Sequence, residues 1–68
     1  MSTRYQFVVD GELTERALAA FPELSTAPLR PGMTILFGSI SDPTAMRGIL
    51  ARIDNLGLTL LEMRRLPD

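Results

Sequence analysis

An α+β fold of two layers is predicted for this chain: a four-stranded antiparallel sheet with two helices on one face. Three observations predict it. A capped amphipathic helix runs through the second half, short β-rich apolar segments flank it on both sides, and the order of elements is β, α, β, β, α, β within 68 residues. The whole length, residues 1–68, is expected to form a single domain without linker, repeat or low-complexity segment.

The first strand is Arg4 to Val9, where polar and apolar residues alternate among aromatic and β-branched types, and it ends at Asp10-Gly11. Leu13, Ala17, Leu18, Ala20 and Phe21 then fall on a helical period. Thr14 is placed as the N-cap, Leu13 and Leu18 as a hydrophobic staple, and Pro22 as the stop. Leu24 to Leu29 reads as a second strand, and Pro28, which lacks a backbone donor, assigns it to a sheet edge. Pro31 and Gly32 occupy the central positions of a type II turn, so Arg30-Pro31-Gly32-Met33 should close a hairpin into a third strand, Met33 to Ile40.

The helix from Ser41 to Gly57 carries the strongest signal. Asp42 offers an N-cap acceptor, Pro43 suits a first helical position where an N–H would have no partner, and Gly57 suits a left-handed terminus. Ala45, Met46, Ile49, Leu50, Ile53 and Leu56 form a dry stripe, with Thr44, Arg47, Arg52 and Asp54 on or near the wet side. Leu58 to Arg65 is the last strand, ended by Pro67.

Two right-handed crossovers joined by a hairpin give the ferredoxin-like split βαββαβ arrangement, with sheet order 4-1-3-2. Glu62, Arg64 and Arg65 suit the fourth strand to an edge, because charge discourages further pairing. The stretch from Thr34-to-Ile40 through Ser41-Asp42-Pro43 to Leu56-Gly57-Leu58 resembles a group of small bacterial proteins of this topology. More distantly it is similar to ACT domains, dimeric modules that bind amino acids and regulate enzymes. That resemblance implies a ligand loop after the first strand; here Asp10-Gly11-Glu12-Leu13 keeps the family's Asp and Leu and lacks its Pro-Gly pair.

Composition narrows the function. A chain of about 60 residues buries only roughly 60% of its unfolded surface, so stability is marginal and self-association is the simplest extra source of burial. No Cys is present to staple the fold, and without Cys or His the usual zinc and nucleophile sets are missing. All seven basic residues are Arg, the net charge is -1, and no basic block exists, which argues against nucleic acid and anionic membranes as partners. A codon bias explains the Arg excess more simply than selection for bidentate contacts. No apolar run approaches the roughly 20 residues of a membrane span, and no signal peptide is visible, so a cytoplasmic address is expected.

Strand parity divides the sheet. Tyr5, Phe7, Val9, Leu36, Gly38, Ile40, Leu61 and Met63 are assigned to the helix side, with Gly38 admitting a helix closely. The opposite face then receives Val8, Ile35, Phe37, Leu58 and Leu60, with Arg4, Gln6, Ser39, Glu62 and Arg64 among them or at the margins. An apolar patch of several hundred Å², estimated roughly, exceeds what a monomer commonly exposes. Burying about 400 Å² of it per subunit contributes roughly 10 kcal/mol before association costs. The chain itself is therefore the expected partner, as a homodimer or higher oligomer, through Val8, Ile35, Phe37, Leu58, Leu60 and Arg64.

A ligand site is expected from a second inference, that strands 1 and 3 are adjacent and parallel. This brings Asp10-Gly11-Glu12 and Ser41-Asp42 together at one end, where both helices begin. Their acidity speaks against phosphate, and the carboxylates of Asp10, Glu12 and Asp42 read more simply as caps than as a cation site, so no metal or cofactor is assigned. Arg64-Arg65 reads more simply as a solvated strand end than as a carboxylate grip. Catalysis lacks His, Cys and Lys, and Tyr5 is better explained as packing than as a proton donor. The expected function is a non-catalytic, self-associating ligand-binding or regulatory module; the alternative is a structural or protein-interaction module acting through its exposed sheet face.

Overall fold

A computed structural model describes residues 2–67, apart from the side chain of Leu29. The chain runs β1 (Thr3–Asp10), α1 (Glu15–Ala19), β2 (Ser25–Arg30), β3 (Met33–Ile40), α2 (Pro43–Asn55) and β4 (Thr59–Arg65). All strand pairs are antiparallel and the order across the sheet is β2-β3-β1-β4. The domain is α+β, and side chains from both helices pack against one set of strand side chains.

Local chemistry fixes the element ends. The Ala17 N–H donates to Thr14 Oγ1 at 3.1 Å and begins α1, which is only five residues long. The Ala45 N–H donates to Asp42 Oδ1 at 2.7 Å and begins α2, with Pro43 at its first position. The other end of α2 closes as a Schellman motif. Gly57 adopts φ 73°, its N–H donates to Asp54 O at 3.0 Å, and the Leu58 N–H donates to Ile53 O at 3.1 Å. At the hairpin, Gly32 takes φ 81°, as the third position of a type II turn requires. The Gly11 N–H donates to Gly32 O at 2.6 Å and Thr34 Oγ1 donates to Gly11 O at 2.9 Å, so the loop after β1 is tied to the hairpin.

The core joins Phe7 and Val9 of β1 and Leu36 and Ile40 of β3 to Ile49 and Ile53 of α2, with Phe21 and Leu24 sealing the α1 side. The parity assigned to the two central strands is therefore the observed one. At Gly38 the close neighbour is the α1–β2 connection and not a helix: a Cβ there would lie 3.0 Å from Leu24 Cδ2 and 3.3 Å from Glu23 O. Arg52, expected on the wet face of α2, is half-buried and reaches that same connection, donating to Ala20 O at 2.6 Å over the Phe21 ring.

The direction of β3 needs correction. It runs antiparallel to β1, with Thr3 opposite Ile40 and Asp10 opposite Met33. The crossover makes β1 and β2 run the same way, and the tight hairpin then reverses the chain, so β3 has to oppose β1. Asp10-Gly11-Glu12 and Ser41-Asp42 consequently lie at opposite ends of β1, roughly 23 Å apart at about 3.3 Å per residue. They form no common site.

The parity of β4 also needs correction. Its register against β1 shifts between Val8 and Val9: Glu62 sits opposite Val8, Leu60 opposite Val9, and Leu61 has no partner. This bulge moves Leu60 to the helix side. Leu58, the residue that closes the Schellman motif, packs against the core and not on the second face.

Candidate functional site

The second face of the sheet is less bare than its sequence suggests. Cross-strand rows place Ala27, Ile35, Val8 and Glu62 side by side, and next to them Ser25, Phe37, Gln6 and Arg64. Val8 is only 6% exposed, and Ile35 and Phe37 are half-buried. A residue on a central strand has side chains on both flanks, and here several are long. The expected interface thus divides: Val8 is nearly covered, Leu58 packs against the core and Leu60 lies on the helix side, while Ile35, Phe37 and Arg64 remain on the second face.

The exposed apolar surface lies instead along one edge. Leu60 (37%), Leu61 (47%) and Met63 (44%) of β4, with Leu56 (42%) at the end of α2, are the large apolar side chains left in solvent among the described residues. Leu61 and Met63 were expected in the core. Every residue of β4 is exposed: α2 comes near it, but the buried core lies over β1 and β3 and β4 is the outermost strand on its side of the sheet. The consecutive leucines at 60 and 61 were the available sign of a bulge, since they break an alternation that an ordinary strand maintains.

The outward side of this edge's backbone is also unpaired among the described residues. The Leu66 N–H donates to Arg4 O at 2.8 Å, and alternation along an antiparallel ladder then directs the amide groups of Arg64 and Glu62 toward β1. Met63 and Arg65 turn theirs outward. Their side chains share the helix side with Phe7 and Tyr5, while Glu62 and Arg64 stand on the other side beside Val8 and Gln6. The β2 edge differs: Pro28 has no N–H to offer, and its register is interrupted between Pro28 and Arg30. One edge is blunted and the other is presented.

Of the expected ligand residues, Glu12 lines one cleft and Ser41 and Asp42 another, while Asp10 and Gly11 line neither. A cleft of about 540 Å³ lies between the β1–α1 loop and the β2–β3 hairpin, with Leu13, Leu18, Pro28 and Thr34 in its wall and Glu12 and Arg30 contributing charge. Another, about 330 Å³, is lined by Tyr5, Ser41, Asp42, Pro43 and Met46 at the opposite end. Asp10, Glu12, Ser41 and Asp42 are exposed, and Gly11, half-buried at φ 99°, makes the turn that leads into the first cleft. Among the described residues, no three acidic side chains gather closely enough to hold a metal ion. No helix among them is long and apolar enough to cross a membrane.

Fold and edge together define a small α+β module, a helix-backed antiparallel sheet with one unprotected margin. The chain belongs to the family described as a domain of unknown function, DUF8691, whose model matches residues 4–64. No curated protein and no solved structure matches it.

Proposed function

We propose that this chain is a non-catalytic, self-associating module of the ferredoxin-like class, its strands read from the β4 edge in the order 4-1-3-2. The observation that carries the reading is the exposure of Leu60, Leu61 and Met63 on a strand whose outer backbone groups have no partner among the described residues. A free, apolar edge is a template for another strand. For a domain with a core this small, association adds burial that the monomer cannot supply. The absence of His, Cys and Lys supports a binding role over catalysis. Sedimentation or light scattering on the purified chain tests the reading: a concentration-dependent oligomer is expected, and a monomer throughout overturns it.

A second reading, that the module also holds a small molecule and resembles ACT domains in doing so, is favoured by the larger cleft. Its volume lies within the roughly 300–1,000 Å³ of small-molecule sites, its wall is mostly apolar, and Glu12 and Arg30 offer opposite charges. A thermal-shift screen of amino acids and related metabolites tests this, because a ligand that binds the folded state raises Tm by mass action.

A further inference from the structure

We infer that the partner of the β4 edge is the β4 edge of a second copy, paired antiparallel in the register that puts Met63 opposite the partner's Met63. The inference rests on the self-association proposed above and gives it a surface and a geometry. A two-fold axis perpendicular to the sheet pairs residues whose side chains share a face, so neighbouring allowed registers differ by whole steps of the pleat.

Three registers are centred within the strand beyond the bulge at Leu61, where the alternation of faces is regular. Centred on Glu62, the pairing sets that carboxylate against its own copy and leaves Arg64 without an acidic partner across the seam. Centred on Arg64, it sets two guanidinium groups against each other. Centred on Met63, it sets Glu62 against the partner's Arg64 and Arg64 against the partner's Glu62, on the face away from the helices. Like charges directly opposite are destabilising and opposite charges are favourable, so charge selects the third register.

The backbone agrees with it. Met63 and Arg65 direct their amide groups outward, as shown by the Leu66-to-Arg4 bond that fixes the alternation. Met63 would exchange both its hydrogen bonds with its counterpart on the axis. On the helix side the same pairing brings the exposed side chain of Met63 onto its copy and sets Leu61 against the stem of the partner's Arg65. The charges on β4 disfavour a strand that sets like charges opposite Glu62 and Arg64, and this pairing sets opposite ones.

Charge exchange provides the test. Glu62→Arg and Arg64→Glu are prepared separately, both at exposed positions, and circular dichroism verifies that each is folded. Each variant alone sets like charges opposite one another at both pairs and is expected to be monomeric at concentrations where the parent is dimeric. Mixed in equal amounts they form only attractive pairs, and a heterodimer is expected, as is a dimer of the Glu62→Arg/Arg64→Glu double variant. A dimeric parent whose dimerisation survives both single changes overturns the β4 register while leaving self-association intact. Two monomeric single variants that fail to pair on mixing also overturn it. A monomeric parent removes self-association itself.

Discussion

Arg52 and Glu23 form a bidentate pair, with Nη1 to Oε1 at 2.9 Å and Nη2 to Oε2 at 2.6 Å. The guanidinium comes from the middle of α2 and the carboxylate from the segment between α1 and β2, so the contact fastens the two halves of the helical layer. Nη1 also donates to Ala20 O at 2.6 Å, and the guanidinium carbon lies 5.3 Å from the centre of the Phe21 ring. With α1 only five residues long, this clamp adds to the buried Phe21 and Leu24 in holding the α1 side closed.

Replacing Arg52 by Met retains the aliphatic stem and removes the charge-assisted bonds. About 1–3 kcal/mol of stability should be lost, from the bond to the Ala20 carbonyl, the partly exposed ion pair and the cation–π contact together. At about 4–8 °C of Tm per kcal/mol for a domain this size, the loss is readily seen in a thermal melt.

The pair also predicts a dependence on acid. Hydrogen bonding to Arg52 holds the Glu23 carboxyl below its ordinary value of 4.5 and pushes the Arg52 guanidinium up. Because the folded-state value is the lower one, the contribution is complete above the unfolded value and is lost as pH falls through the folded one. Tm should therefore drop below about pH 4.5, and Glu23→Gln should flatten that part of the profile. An unchanged profile in the variant would show that Glu23 does not contribute.

Gly38 is the one glycine whose added Cβ would meet close neighbours among the described residues. Its missing Cβ leaves room for Leu24 Cδ2 and the Glu23 carbonyl, the latter a backbone atom that cannot rotate away. Gly38→Ala should cost about 1–3 kcal/mol by overpacking, and Gly38→Val more, both measured by denaturant midpoint.

The strand edge and the open face give opposite expectations for one substitution. Phe37 is half-buried on a central strand, away from β4 by the width of β1. Phe37→Glu should leave the edge-paired dimer in place, whereas a face-to-face dimer would dissociate. Met63→Cys should do the reverse of harm: with no other Cys in the chain, oxidation should link two copies. Hydrogen-bonded antiparallel residues sit about 5.5 Å apart at Cα, inside the usual disulfide span.

Much of the architecture could be read from single residues. Asp42, Pro43 and Gly57 marked both ends of α2, Thr14 marked the start of α1, and Pro31-Gly32 marked the hairpin, because each acts through backbone geometry within a few positions. Alternation in β1 and β3 showed which side chains enter the core. What was illegible depended on pairing between distant segments. The bulge at Leu61 exists only in relation to β1, and it reversed the facing of Leu60. The distance between Asp10 and Asp42 followed from strand direction, which misplaced both halves of the expected ligand site once taken as parallel. Arg52 looked like a solvated helix residue because nothing in its own helix identifies Glu23 as its partner.

Sedimentation velocity of the unaltered chain across the micromolar range addresses the central claim most directly. Association through β4 predicts a species of twice the monomer mass whose share grows with concentration. A single monomeric boundary at every concentration would contradict it.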